Sequence, residues 1–351
     1  MIILFGENFE LENIDFVKRS IPMNRQIMVR LLFFALLCLT IFHGSCTKEP
    51  FERNAGQSMQ IAVIPKGTSN IFWQTVHAGA LTAGKEFGVE ILWSGPAVET
   101  NKEQQVSIVE DFIVRAVDGI VLAPQDAEAM VPSVERIAAA NIPLVIMDSG
   151  INSDHYVSFA ATDNYRGGVE GAREMARRLE QKGQVIIIGN DPGGASTNER
   201  EKGFRDTLEK EFPDIQLIGF EYHYNDRGKA RAIMDDLLVR NPDTDGVFCS
   251  SESSSLGALL ALQASKTTDR LVFIAFDSSP ELVKALENGE IHAIINQDPF
   301  RIGYEGVKTL VRHLRGEAVE QKVDTGVFVV TKENMNEPEI EILLNPNLDS
   351  L

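Results

Sequence analysis

Cysteine is scarce in this chain, with three residues in 351. Cys38 and Cys46 lie in or just after an apolar segment near the amino terminus, which leaves Cys249 alone in the remainder. A single cysteine cannot form an internal disulfide, so the fold must be stabilised by its apolar core. Cys249 itself lies in an apolar run and is interpreted as a small buried residue rather than a reactive thiol.

Motifs for common catalytic and cofactor chemistry are also missing. The six histidines do not pair, and no Cys/His cluster has metal-ligand spacing. The glycine-containing segment 189–194 lacks both the Gly-Lys-Ser/Thr of a phosphate loop and the GxGxxG of dinucleotide binders, and no GxSxG elbow occurs. The sequence therefore predicts no cofactor and no metal. An enzyme remains an alternative that a turnover assay would test.

Positive charge is in short supply, since 33 Lys and Arg residues face 51 Asp and Glu residues, for a formal net charge of −18. A surface this acidic repels phosphate backbones, so nucleic acid is not an expected partner. No Gly/Ser-rich or Pro-rich linker interrupts the chain after residue 59, although its length is sufficient for two domains.

The amino-terminal region has the features of a secretory signal peptide. Residues 31–42 form an apolar run in which Thr40 is the only polar residue, and Arg25 and Arg30 precede it. A basic start followed by a short apolar core is typical of such a signal, and this run is short for a bilayer span. Residues 1–22 carry acids that are unusual at a signal start, so Met23 is the predicted initiator.

A lipid anchor is predicted at the end of this leader. Gly44-Ser45-Cys46 resembles a bacterial lipobox, with His43 where an aliphatic residue is usual. We expect a leader over 1–45, acylation of Cys46 and a polar tether over 46–59 that holds the protein at a membrane surface. Secretion without a lipid is the alternative. Either way the sequence predicts a periplasmic or extracytoplasmic location.

Short apolar runs that end in polar residues dominate the rest of the chain. The clearest is 271–279, LVFIAFDSS, and similar runs occur at 118–124, 143–150, 183–190 and 245–251. Runs of this length predict strands covered on both faces, and the helix-like segments between them predict parallel α/β sheets. The rhythm occurs in two blocks, so we expect two similar Rossmann-like lobes, with ligands at the carboxyl ends of the strands.

Eight short motifs recur in a fixed order from residue 60 to about residue 331. They are NIFW at 70–73 with GA at 79–80, DGI at 118–120, NIP at 141–143 with Asp148, ATDN at 161–164, Arg200 with GF at 203–204, LGAL at 256–259, AFD at 275–277, and INQDP at 295–299. Together they resemble the ribose-binding type of periplasmic solute-binding protein. This is the sugar branch of the type I periplasmic binding fold, which serves ABC importers.

The resemblance implies two lobes joined by a three-strand hinge. Matching positions place the crossings near Thr162/Asp163, Gln297/Asp298 and Thr325/Gly326. The amino-terminal lobe would comprise 60–162 plus 298–325, and the carboxyl-terminal lobe 163–297 plus 326–345. The expected behaviour is that of a monomer whose lobes close around the ligand, with a membrane permease of an ABC importer as its partner.

The resemblance also implies a set of ligand contacts. A sugar offers hydroxyl groups on its rim and apolar faces, so its site needs planar polar groups and flat apolar groups. Phe72 and Trp73 would cover a face, Asp148 and Asp277 would accept from hydroxyl pairs, and Arg200 would donate. The full predicted set is Asn70, Phe72, Trp73, Asp148, Arg200, Asn225, Ser251, Asp277 and Gln297.

Most of these residues also have a purely structural interpretation. Trp73 could belong to the core, and Asp148 and Asp277 could be helix N-caps. Arg200 could be a solvated helix residue beside two glutamates. Asn70 and Gln297 could satisfy loop backbone groups.

Two departures from the family leave the identity of the sugar open. Ser251 stands where an asparagine is usual, and the aromatic residue of the second lobe aligns near Tyr224-Asn225. The fold has two other uses, of which a sensor remains the alternative for this chain. A sensor would present a sugar or an autoinducer-like ligand to a membrane receptor. A lactose-type repressor would carry a helix-turn-helix where this chain has its leader.

Overall fold

Helices alternate with strands along the part of the chain that the structure describes. The computed structural model describes residues 58–346, 348 and 351. The predicted leader, the start at Met23, the acylation at Cys46 and the tether up to residue 57 lie outside these residues. None of the helices within 58–346 is both long and apolar enough to cross a bilayer.

Within the described residues, twelve strands form two six-stranded sheets. The first sheet has the order β11-β5-β4-β3-β1-β2 and holds β1 (Gln60–Ile64), β2 (Glu90–Trp93), β3 (Gly119–Leu122), β4 (Leu144–Met147), β5 (Ser158–Ala161) and β11 (Lys322–Asp324). The second has the order β12-β10-β9-β8-β6-β7 and holds β6 (Gly183–Gly189), β7 (Ile215–Tyr222), β8 (Gly246–Cys249), β9 (Val272–Phe276), β10 (Ala293–Asn296) and β12 (Phe328–Val330). The paired strands are parallel, except that β12 runs antiparallel to β10.

Helices cover both faces of each sheet. The N-terminal lobe, built on the first sheet, carries α1 (Ile71–Phe87), α2 (Lys102–Val114), α3 (Val131–Ala139) and α9 (Pro299–Leu314). The C-terminal lobe, built on the second, carries α4 (Asn164–Arg178), α5 (Ala195–Glu211), α6 (Arg227–Arg240), α7 (Glu252–Ser265), α8 (Pro280–Asn288) and α10 (Pro338–Leu344).

Successive residues of the central strands point into different cores, as a period of two requires. Ile61 and Val63 of β1 pack into one apolar cluster, and Ile64 packs into the cluster on the opposite face of the sheet. The second sheet repeats this arrangement with Ile186 and Val185 of β6. Both sheets therefore have two buried faces, which explains why their strands are continuous apolar runs.

One close helix crossing in each lobe depends on glycine. A Cβ on Gly79 of α1 would lie 2.0 Å from the carbonyl oxygen of Phe300 at the start of α9. A Cβ on Gly203 of α5 would lie 2.1 Å from the carbonyl oxygen of Tyr165 in α4. The helices α1 and α5, which both carry predicted site residues near their amino-terminal ends, are thus held tightly against a neighbouring helix.

The chain passes between the sheets three times. It leaves the first sheet after β5 to form α4, returns from β10 to α9, and leaves again between β11 and β12. Thr162 Oγ1 donates to the carbonyl of Gly326 over 3.0 Å, and the amide of Thr325 donates to the carbonyl of Ala161 over 3.1 Å. Two of the crossings are thus bonded to each other. The predicted fold, two Rossmann-like lobes with a three-strand hinge, is confirmed.

Some local predictions were wrong. The run at 143–150 is not followed by a helix, because the chain continues through a loop directly into β5. The short strand β11, the helix α10 and the antiparallel direction of β12 were not predicted. Cys249 is buried in β8, and burial raises the pKa of its thiol, which supports its interpretation as a small core residue.

Candidate ligand-binding site

A cavity lies between the two lobes, where the strands of both sheets end. Its empty space is about 410 Å³, including the part open to solvent. All nine sequence-predicted residues line this inner cavity, which brings together Asn70, Phe72, Trp73, Asp148, Arg200, Asn225, Ser251, Asp277 and Gln297. Seven further residues complete its wall, namely Lys66, Glu99, Asn190, Ser196, Thr197, Glu252 and Ser253.

The N-terminal lobe contributes a buried ion pair. Asp148 directly follows β4 and has a left-handed backbone conformation, with φ of 61°. Its Oδ2 lies 2.8 Å from Nζ of Lys66, which follows β1. Nζ also donates to Oγ of Ser196 in the other lobe over 3.2 Å. Asp148 is not an N-cap, because no helix follows it, so the capping alternative was wrong at this position.

The C-terminal lobe contributes a second acid and cation in the corresponding place. Asp277 directly follows β9 with φ of 62°, and its Oδ2 lies 3.4 Å from Nη1 of Arg200. Its Oδ1 accepts a hydrogen bond from Nε2 of Gln297 over 2.8 Å. The N-cap of α8 is Ser279, so the capping alternative was wrong for Asp277 as well.

Arg200 is fixed within its own lobe. Nε donates to Oδ1 of Asn164 over 2.8 Å, and Nη1 donates to the carbonyl of Ser250 over 2.9 Å. The guanidinium carbon lies 3.9 Å from the centroid of the Phe276 ring, a favourable cation–π geometry. The side chain is only 3% exposed, so its interpretation as a solvated helix residue was wrong.

Phe72 and Trp73 form an aromatic wall on the N-terminal lobe. Their rings meet edge to face, with centroids 5.0 Å apart. The indole N–H of Trp73 donates to Oε1 of Glu99 over 2.7 Å. Asn70 caps α1 by accepting from the amide of Trp73 and also donates to Glu99. Trp73 both packs into the lobe core and lines the cavity, so the two interpretations of this residue are compatible.

The facing wall on the C-terminal lobe is polar. Ser251 caps α7 and exchanges hydrogen bonds with Ser254 in a capping box. Asn225 reaches the cavity, whereas the neighbouring Tyr224 is 51% exposed and does not line it. Among the lining residues that the structure describes, the aromatic rings therefore come from the N-terminal lobe.

Carboxylates outnumber cations around the inner cavity. Glu99, Asp148, Glu252 and Asp277 line it together with two cations, Lys66 and Arg200. Burial raises the pKa of Asp277, and the charge of Arg200 opposes that rise. Burial, with the charges of Asp277 and Glu99, raises the pKa of Glu252 to about 8. An anionic ligand would meet four carboxyl groups and two cations in this cavity.

Direct contacts also join the lobes at the rim of the cleft. Lys102 of the N-terminal lobe lies 2.9 Å from Asp126 of the same lobe and 3.2 Å from Asp191 of the other. Partial burial opposes the charge of Lys102, but the two carboxylates together raise its pKa. The amide of Ala127 donates to the carbonyl of Gly193 over 3.0 Å. The structure therefore represents a closed arrangement of the lobes.

Sequence reasoning missed residues of two kinds. Lys66 ends the apolar run at 61–65, so the same strand-end rule that selected Asp148 would have found it. Glu99 and Glu252 carry no such signal, because one lies in a loop and the other in the first turn of a helix. In residues 58–346 no cluster of His, Cys, Asp or Glu side chains could hold a metal ion.

Comparison with known proteins gives consistent results for sequence and structure. The ribose import binding protein of Escherichia coli is 28% identical over 280 residues, which cover 80% of this chain and 93% of that protein. A carbohydrate transporter solute-binding protein from Agrobacterium radiobacter, solved in complex with D-arabinose, is 35% identical with a TM-score of 0.80, covering 83% of this chain and all of that chain.

A solute-binding protein from Agrobacterium vitis, solved with bound D-fucose, is 35% identical with a TM-score of 0.78, covering 82% of this chain and all of that chain. The D-allose-binding periplasmic protein of Escherichia coli is 28% identical over 282 residues, covering 78% of this chain and 90% of that protein. The family described as a periplasmic binding protein domain matches residues 61–318. The chain belongs to the ribose-type periplasmic binding protein family.

Proposed function

We propose that this protein captures a small sugar between its lobes and delivers it to an ABC-type importer, as an extracytoplasmic lipoprotein. The observation that carries the proposal is the pair of acid–cation contacts that face the inner cavity, Lys66–Asp148 from one lobe and Arg200–Asp277 from the other. Charged groups in pairs leave oxygen and nitrogen atoms free to bind hydroxyls through charge-assisted bonds. The proposed role is binding without catalysis.

The walls of the cavity support a monosaccharide as the ligand. The faces of Phe72 and Trp73 suit the C–H face of a sugar ring, as aromatic faces suit apolar surfaces generally. The polar wall of the C-terminal lobe suits hydroxyl groups. The relatives described above include proteins named for ribose and D-allose and structures containing D-arabinose and D-fucose.

A binding screen tests the capture step. Purified protein would be titrated calorimetrically with D-ribose, D-allose, D-arabinose, D-fucose and D-tagatose. Saturable 1:1 binding of at least one sugar is expected, together with a smaller radius of gyration by small-angle scattering if the lobes open without ligand. Failure of every sugar to bind would contradict the proposal.

Two cell experiments test the anchor and the importer. Cys46→Ser should move the protein from the membrane fraction to the soluble fraction, because a lipid on Cys46 would hold it at the membrane. Deletion of the gene should reduce uptake of the sugar that the purified protein binds. Unchanged uptake alongside intact binding would contradict delivery to an importer.

A further inference from the structure

The inner cavity contains buried hydrogen-bond acceptors that have no donor. Three lining atoms are buried without a partner among the described residues, Oδ1 of Asn190, Oε2 of Glu252 and Oε1 of Gln297. All three are oxygen atoms that accept. No side-chain donor of the described cavity wall is buried without a partner. Because buried polar groups are normally hydrogen-bonded, the cavity needs an occupant that supplies donors.

Glu252 carries the strongest demand of the three. An ionised carboxylate oxygen can only accept, whereas an amide also donates. Glu252 is the first residue of α7, and the charges of Asp277 and Glu99 act on its carboxyl, with that of Arg227 acting in the opposite direction. Burial and the two acids disfavour its charge. A ligand donor at this position would stabilise the charged form in the closed site.

The position of Glu252 also supports a direct contact with the ligand. A second, outer cavity borders the inner one and has about 1210 Å³ of empty space, including the part open to solvent. It shares five lining residues with the inner cavity, namely Asn70, Glu99, Asn225, Glu252 and Ser253. Glu252 thus borders both spaces, where the outermost group of a bound sugar would lie.

We propose that Glu252 is a specificity-determining residue that accepts a hydrogen bond from a hydroxyl or ammonium group of the ligand. This inference rests on the proposed sugar-binding function and narrows it. The ligand class is a neutral or amino sugar that donates to the C-terminal lobe. Sugar acids and sugar phosphates are disfavoured, because both cations of the described inner cavity, Lys66 and Arg200, are already paired with aspartates.

The test compares two isosteric Glu→Gln substitutions. Glu252→Gln changes the cavity wall, and Glu281→Gln changes an exposed residue of the outer cavity that does not line the inner one. Both variants and the wild type would be titrated with the five sugars, with 2-amino-2-deoxy-D-galactose, and with D-galacturonate and D-ribose 5-phosphate.

For the sugar that the wild type binds most tightly, Glu252→Gln should weaken binding about tenfold, because a hydrogen bond to a charged acceptor is replaced by one to a neutral amide. Glu281→Gln should stay within about twofold of the wild type, as expected for an exposed charge. Deoxy analogues of that sugar provide a double-mutant cycle. One deoxy analogue should bind the wild type more weakly than the parent sugar does. Glu252→Gln should bind that analogue and the parent sugar with similar affinity.

The amino sugar distinguishes the two sources of the donor. If the wild type, but not Glu252→Gln, binds the amino sugar more tightly than the neutral sugars, the donor is an ammonium group. Otherwise the donor is a hydroxyl. The inference is overturned if the affinity of Glu252→Gln for the sugar is within about twofold of that of the wild type, or if an anionic sugar binds best. It is also overturned if every deoxy analogue loses the same affinity, relative to the parent sugar, in both proteins. Absence of binding to every sugar by the wild type would overturn the proposed function, and this inference with it.

Discussion

The two lobes place an aspartate and a cation at the same point of the fold but hold the cation differently. Asp148 and Asp277 each follow a central strand in a left-handed conformation. Arg200 is fixed by Asn164 and Ser250 of its own lobe, whereas Lys66 reaches across the cleft to Ser196. The arginine is thus preorganised before closure, and part of the environment of the lysine forms only when the lobes meet.

Because the two cations are held differently, their loss should affect the free energy of unfolding and the affinity for ligand to different extents. A group that is fixed within one lobe contributes to the folded state whether or not ligand is present. A group that bridges the lobes contributes mainly to the closed state, which the ligand selects.

The largest effect is expected for Arg200→Met. Removing the guanidinium leaves the buried Asp277 without its cation, which should lower the free energy of unfolding by about 3 kcal/mol. Sugar binding should also fall by roughly thirty-fold or more, as expected when a desolvated charge loses its partner. Denaturant unfolding without ligand and calorimetric titration measure the two effects. Arg205→Met, at an exposed position of the same helix, is the control. Equal unfolding midpoints for both variants would contradict the fixed role of Arg200.

Lys66→Met should separate the two properties. Affinity should fall about tenfold, because the hydrogen bond from the lysine to Ser196 crosses the cleft and forms only when the lobes are closed. Stability without ligand should change by less than about 1 kcal/mol, the typical worth of a hydrated ion pair. Lys85→Met, at the exposed end of α1, is the matched control. A loss of stability as large as that of Arg200→Met would erase the distinction between the lobes.

A pH effect of intermediate size is expected from Glu201, a buried residue of the C-terminal lobe. Burial raises the pKa of its carboxyl to about 7, although it accepts hydrogen bonds from Asn190 and Ser250. Because its pKa in the folded state exceeds that of the unfolded state, its stabilising contribution is complete at acidic pH and is lost as the pH rises through about 7.

The stability of the wild type relative to Glu201→Gln should therefore decrease between pH 5 and pH 8, by on the order of 1 kcal/mol. Denaturant unfolding of both proteins at several pH values measures the difference. A difference that stays constant or increases with pH would show that this carboxyl is ionised in the folded protein throughout the range.

The smallest effect is expected at the rim. Lys102 bridges Asp126 of its own lobe and Asp191 of the other, and Lys102→Met removes this bridge. Partly exposed ion pairs contribute at most about 1 kcal/mol. Affinity should fall about two- to fivefold, mainly through faster dissociation. Stopped-flow release measured at low and high salt provides the test. A wild-type release rate that does not depend on salt would show that this contact does not hold the lobes closed.

Sequence patterns predicted most of the fold because apolar runs of strand length are visible without any tertiary information. The strand-end rule selected Asp148 and Asp277 for the same reason. Short elements such as β11 escaped, because Lys322-Val323-Asp324 has little apolar signal and forms a strand only beside β5. Glu252 escaped because its burial arises from packing between the lobes, which no local pattern encodes. The fixed role of Arg200 likewise depends on Asn164 and Ser250, distant in sequence.

Calorimetric titration of Asp148→Asn with the best-bound sugar tests the central claim most directly, because this aspartate belongs to the lobe opposite Arg200. If the ligand is gripped by both acid–cation pairs, the substitution leaves Lys66 without its partner and weakens binding by about 2–5 kcal/mol, or roughly thirty-fold or more. Binding within about threefold of the wild type would place the ligand outside the inner cavity or in a pose that does not use the N-terminal lobe.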